Sequence, residues 1–269
     1  MPRWTGDHPP RFESIWLRPE RPPRRSHAAL SRGQIVRAAI AIADAEGLDA
    51  VTMRRLASHL GVGTMSLYWH VPNKENLLEL MRDELMGEVQ MPDPPSADWR
   101  ANLRQIAHQS RATMKRHPWM ATIFASLPSF GPNMMRHADL SLAAVDGLGL
   151  DARTMFGITG VVDDYTLGFT LGELNQEAAR RQLGLTEEEM RQQWLLAIEP
   201  FAQQALATGN YPRLARVQVD PLEFLDMDRT FAWGLECVLD GIAARIAEQK
   251  AEGGRRKAEE IVDESQSIA

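Results

Sequence analysis

TMRRLASHLGVGTMSLYWHVPNK, residues 52–74, is the stretch whose reading decides the fold. Met53, Leu56, Ala57 and Leu60 recur at helical spacing and give a first short helix an apolar inner face. Gly61 ends it, because a residue without Cβ enters the left-handed conformation that a helix C-cap favours. Val62 reads as a buried turn residue, and residues 64–71 read as a second short helix stopped by Pro72. Helix, glycine turn and second helix form a helix-turn-helix pattern, whose second helix lies in the DNA major groove. Arg54, Thr64, Ser66, Tyr68, His70 and Lys74 are left facing outward with donors and positive charge. A solvated helical hairpin is the plainer reading of the same pattern.

Upstream, a capping box at Ser31 and Gln34 opens a helix with Ile35, Ala38, Ala39 and Ile42 on its inner stripe and Gly47 at its end. Downstream, Asn73 caps a long fourth helix carrying Leu77, Leu80, Met81 and Leu85. The proline-rich run at 91–95 breaks the chain and marks a domain boundary.

Gly61-Val62, then Leu67-Tyr68-Trp69-His70-Val71 and Asn73-Lys74, closely resembles the tetracycline-repressor (TetR) family, with the helix at 35–47 in the place of that family's first helix. Tyr165-Thr166-Leu167-Gly168 is similar to a run in the family's ligand-binding half. The resemblance implies that Arg54, Thr64 and Met65 face base edges. Thr52, Ser66, Tyr68, Trp69, His70 and Lys74 would hold phosphates or brace the recognition helix. It implies that the fourth helix, 76–90, links head to body. Gly63 and Met65 depart from the repressor's residues, which implies a different base preference.

Charge fits such a division. The 269 residues carry a formal net charge of −6, yet residues 1–75 hold eleven Arg/Lys against seven Asp/Glu, a local +4, and the remainder nineteen against twenty-nine, or −10. A basic head on an acidic body leaves only the head to dock on phosphate. Hydrophobic content of 44% is that of a globular chain, alternating strand patterns are scarce, and no apolar run approaches the ~18–20 residues of a membrane span. The N-terminus lacks the apolar core of a secretory signal, and the lone Cys237 suits a reducing compartment, so a cytoplasmic protein is expected.

The expected architecture is all-α: an Arg/Pro-rich flexible extension at 1–29, a three-helix DNA-binding head at 30–75, a helical ligand-binding and dimerisation body at 76–250 and a charged, frayed tail at 251–269. Arg18, Arg21, Arg24 and Arg25 of the extension either touch the minor groove or phosphates, or are simply solvated. Trp4, Phe12, Ile15 and Trp16 point to docking onto the body. Body helices are expected at 98–116, 119–125, 132–148, 151–183, 186–207 behind a capping box at Thr186 and Glu189, and 227–249.

Methionines and aromatics make the body adaptable enough to line a cavity. The candidate ligand contacts are Ile106, Ser110, Met114, Met135, Phe156, Thr159 and Trp194. Aligned on Trp99, Ile106 and Ser110 stand where the repressor has its ligand-contacting asparagine and an aromatic, and Gly172, beside Glu173, where it has its magnesium-side acid. The chelating part of that site is therefore absent, which points to a lipophilic effector. Candidate dimer contacts are Gly160 and Gly168 on one helix and Phe231, Leu235, Val238 and Ile242 on the last. The resemblance makes those two helices a four-helix bundle with a second copy. The alternative for both rows is intramolecular core.

P-loop, GxGxxG, HExxH and GxSxG signatures are all missing, the seven histidines include no HxxxH or HxH pair, and one cysteine builds no thiolate zinc site. No cofactor and no metal are expected. Asp163, Asp164 and Glu173 could form an acid–base group, but a solvated helix face explains them equally well. The sequence thus reads as a DNA-binding repressor that leaves its operator on binding a small lipophilic, drug- or polyketide-like ligand. The alternatives are an activating or ligand-independent regulator, and a helical enzyme or scaffold retaining the head.

Overall fold

The computed structural model describes residues 14–19, 30–91, 93–124, 130–216 and 226–267, with the side chains at 187, 191, 194, 198 and 252–267 outside that description. Every regular element among them is helical: α1 (Arg32–Glu46), α2 (Met53–Leu60), α3 (Thr64–His70), α4 (Lys74–Met86), α5 (Trp99–Arg116), α6 (Pro118–Phe124), α7 (Pro132–Ala143), α8 (Ala152–Gln182), α9 (Glu187–Ala207) and α10 (Met227–Ser267), with three short 3-10 turns. The chain divides into two compact units, residues 1–91 with 116–140, and residues 92–115 with 141–269. The first cut falls in the proline-rich run. The first unit takes in α4 and the segment 116–140, which the sequence reading put in the body, because α6 packs on α1 and α4.

In the first unit α1 is opened by the expected capping box and packs on α2, α4 and α6. Its Ile35, Ala39 and Ile42 are buried together with Val51, Leu56, Leu67, Val71, Leu77, Met81 and Leu85. Residues 14–18 belong here too. Ile15 is buried, and Trp16 Nε1 donates to Glu79 Oε1 at 2.8 Å. Trp16 therefore docks on α4, within the segment 76–250 that the sequence reading assigned to the body. Trp4, Phe12 and Arg21, Arg24 and Arg25 lie outside the described residues. Asp83 reaches from α4 to the start of α7, accepting from the backbone N–H of Met134 at 2.9 Å. His117 lies between Asp44 and Glu88, at 2.8 and 3.2 Å, and Trp119 Nε1 donates to Asp44.

In the second unit α8, capped by Asp151, packs along α10. Tyr165 on α8 donates to the carbonyl of Phe231 at 2.8 Å. A Cβ at Gly234 would collide with that hydroxyl, so the seat of the Tyr165 ring against α10 requires glycine there. Two ion-pair groups tie α5 to its neighbours: Arg100 and Arg104 to Glu236 on α10, and Arg111 to Glu173 on α8.

Three expectations change. The helix expected at 132–148 ends at Ala143. The last helix runs on to Ser267, where a frayed tail was expected from 251, because Ala, Glu, Arg and Lys dominate that run and outweigh Gly253 and Gly254. And the apolar row of α10 is core: Phe231, Leu235 and Ile242 are buried within the chain itself, with Leu239 and Ile246, while Val238 is half-buried. That row is no free face for a second subunit. Helical spacing reveals an apolar stripe but not what covers it, and α8 of the same chain shares in covering this one.

Candidate nucleic-acid interface and effector site

The helix-turn-helix forms for local reasons. Thr52 Oγ1 accepts from the backbone N–H of Arg55 and caps α2. Gly61 closes α2 at φ +66°, and the N–H of Val62 reaches back to the Ala57 carbonyl at 3.0 Å, the six-to-one bond of a Schellman turn. Leu56 and Ala57 are buried, whereas Met53, Leu60 and Val62 are only half-buried, so the inner face is narrower than the sequence suggested. Asn73 Oδ1 accepts from Asn76 N at 2.7 Å and caps α4.

On α3 one residue carries the anchoring. Leu67 is fully buried, as is Val71 just after the helix. The opposite side is open: Met65 is 70% exposed and Trp69 59%, with Ser66 and Tyr68 also exposed and Thr64 and His70 half-buried. Thr52, Arg54 and Lys74 are exposed beside them. All nine residues proposed for DNA thus lie on one short run of chain with their surfaces accessible. Arg55, next to Arg54, is engaged by Glu46, whose carboxylate it holds below the usual range. Lys74 occupies the first turn of α4, where a cation works against the helix dipole, so helix stability does not explain it.

The proposed ligand contacts fall in both units. Ile106, Met114 and Thr159 are buried in the second unit, Ser110 is half-buried, and Phe156 is exposed on α8. Met135 is exposed and belongs to the first unit, and the Trp194 side chain lies outside the described residues. The cavity found in the second unit uses the next face of α5. It measures about 550 Å³ and is lined by His108, Arg111, Ala112, Lys115 and Asp228. Arg111 holds Glu173 through two bonds of 2.9 Å and Asp228 at 2.7 Å, and its guanidinium lies 4.8 Å from the centre of the Phe231 ring. Lys115 Nζ adds a third cation–carboxylate contact, 2.6 Å from Glu173. Burial, reinforced by Arg111 and Arg104, pushes the His108 imidazole down, and the bond from Arg111 holds the Asp228 carboxyl down. Sequence reasoning missed this group. Arg111 and Lys115 at helical spacing were the only local signal, and their acids lie on other helices.

Among the described residues no three His, Cys, Asp or Glu side chains gather to hold a metal ion, and no helix is long and apolar enough to cross a membrane.

Two family profiles match the chain, and the second crosses into the first unit over residues 116–140. Residues 35–81 match the profile of bacterial regulatory proteins of the tetR family, and residues 91–246 that of the tetracyclin repressor-like C-terminal domain. The chain belongs to the tetR family. It is 35% identical to the HTH-type transcriptional repressor DrrR1 of Streptomyces coeruleorubidus over 92% of this chain and 90% of that one. It is 27% identical to the class A tetracycline repressor of transposon 1721 from Escherichia coli, over 84% of this chain and 97% of the repressor. Among solved structures it superposes on the tetR-family protein ActR of Streptomyces coelicolor in complex with actinorhodin. That match has a TM-score of 0.65 and 29% identity over 81% of this chain and 97% of ActR. ActR has also been solved with (S)-DNPA. Membership of the tetR family makes the chain a DNA-binding transcriptional regulator with a helix-turn-helix head and a repressor-like body.

Proposed function

We propose that this chain is a cytoplasmic, homodimeric transcriptional repressor that releases its operator when a small lipophilic, drug- or polyketide-like molecule enters the second unit. The observation that carries the DNA reading is the exposed face of α3 over a single buried anchor, Leu67, flanked by Arg54 and Lys74. Large apolar side chains held out in water mark a surface kept for a partner. Arg54 and Thr64 can donate to base edges and Met65 can pack on a thymine methyl, while Lys74 and the N-terminus of α4 suit a phosphate.

Reading an operator with helix-turn-helix heads takes two of them on half-sites ~34–36 Å apart, hence a dimer. Support for it comes from an outward strip on α8 and α10. Gly157, Val161 and Gly168 are exposed on α8 and nothing approaches within 4 Å of a Cβ built at either glycine. On α10, Trp233 is 73% exposed, with Cys237 and Gly241 one and two turns along. Gly160 and Gly168 keep their proposed role, and Trp233, Cys237 and Gly241 replace the buried row. The effector reading is supported by the ActR complexes and by the cavity on α5. A ligand releases DNA only to the extent that it binds the released form more tightly.

The test is a gel-shift titration on the intergenic DNA upstream of the chain's own gene, with random competitor and a panel of polyketide and drug-like compounds. Competitor-resistant, salt-sensitive binding that one compound abolishes is expected. Specific binding that no compound disturbs overturns the effector part, and binding no tighter than to random DNA overturns the whole.

A further inference from the structure

The cavity on α5 carries a charge arrangement that a purely lipophilic ligand would leave unused. Arg111 is only 7% exposed and is fixed by Glu173, itself nearly buried, through a bidentate pair. Its remaining bond, from Nη1, goes to Asp228, whose side chain is 80% exposed. The two acids differ in kind. Removing Glu173 would strand a buried cation, whereas Asp228 can return to water at little cost. Asp228 is not needed to cap α10 either, because Asp226 Oδ1 already accepts from Arg229 N at 2.9 Å. With Asp228 turned away, Arg111 and Lys115 face only Glu173, leaving one uncompensated positive charge. Burial and the neighbouring Arg111 and Arg104 disfavour a proton on His108. Arg111 lies over the fully buried Phe231 ring, and His108 stands edge-on to that ring at 5.2 Å and itself lines the cavity.

We propose that this cavity is a subsite for the acidic group of an effector, and that Asp228 is the internal carboxylate that holds its place on Arg111 until such a ligand arrives. The inference rests on the effector-release reading and names the effector's class: a compound bearing a carboxylate or phenolate. The rest of the molecule lies against His108 and Ala112. The acid takes Nη1 of Arg111 and lies near Lys115. About 550 Å³ is ample for two or three fused rings.

Calorimetric titration of the full chain with 2-naphthoate and with its neutral methyl ester tests this. The wild type binds naphthoate more tightly than the ester. Asp228→Ala removes the competitor and raises naphthoate affinity by about tenfold, the worth of one charge-assisted hydrogen bond, while leaving the ester unchanged. Lys115→Gln weakens naphthoate alone, and unchanged melting curves show that both exposed positions leave the fold intact. Equal affinity for acid and ester, or an Asp228→Ala gain shared by both, overturns the subsite. So does naphthoate binding that is indifferent to both variants. Operator release by a neutral compound alone, with naphthoate unbound, overturns the subsite and leaves effector release standing. The Asp228→Ala gain in a protein that no compound frees from its operator supports the subsite and sinks the release reading.

Discussion

Helices α1–α3 bury Ile35, Ala39, Ile42, Leu56 and Leu67 and keep their polar groups at the caps, whereas α5, α8 and α10 bring Arg111, Glu173, Thr166, Thr170 and Tyr165 into the packing. In the first case the inside is apolar and undirected, so the outside is left to display Arg54, Thr64 and Tyr68. In the second, direction is built into the interior. The buried hydroxyls of Thr166 and Thr170 are satisfied by carbonyls one turn back on their own helix, at 2.8 and 2.6 Å. The guanidinium of Arg111 is satisfied by acids from two other helices. A surface that reads a fixed duplex needs a stiff base. An interior that recognises a small molecule needs polar groups whose pairing can be exchanged.

Substitutions can break that contrast. The largest loss is expected for Glu173→Ala, which leaves Arg111 buried with only an exposed partner and costs about 3–5 kcal/mol in chemical denaturation. A loss below about 1 kcal/mol would mean that the pair is not structurally essential. Next comes Leu67→Ala, a cavity beneath the reading helix, at about 3–4 kcal/mol, with operator binding falling in step.

His137 is an exception within the first unit, a buried imidazole whose Nε2 lacks a partner and whose pKa burial pushes down to about 4 from 6.5. The unfolded chain takes up this proton first, so stability is intact above pH 6.5 and falls as pH drops toward 4. The loss is about 3 kcal/mol, and melting His137→Gln beside the wild type at pH 7 and 4.5 reveals it as a flatter dependence in the variant.

Arg54→Ala should weaken specific binding by about 2 kcal/mol, while Lys74→Ala weakens all sequences alike and reduces the salt slope by about one. Equal losses on operator and random DNA for Arg54→Ala would remove its reading role. The smallest effect is that of Asn73→Ala, about 1 kcal/mol for the lost cap of α4, read from the denaturation midpoint.

Most of the first region could be read from the sequence because its determinants are local. Thr52, Gly61 and Asn73 act on residues three or four positions away, and the spacing of Leu56 and Leu67 gives the inward side. Pairings between distant helices could not be read. Glu173 lies 62 residues from Arg111, and no periodicity joins them. The same limit explains the dimer row: Phe231 and Leu235 mark a stripe, but Tyr165, 66 residues from Phe231, decides that the stripe is interior. The cavity on α5 was hidden from the sequence for a related reason. Alignment placed Ile106 and Ser110, while the cavity opens on the neighbouring face of α5, past His108 and Arg111.

The reading helix α3 is only seven residues long. A segment that short does not persist on its own in water, because the cost of starting a helix exceeds what two turns return. Its shape is borrowed from Leu67 and Val71 and the core beneath them. Recognition and global folding are therefore a single equilibrium: no α3 peptide will compete for operator, and whatever fraction of chains is unfolded in the cell is subtracted directly from the repressor dose that a promoter experiences.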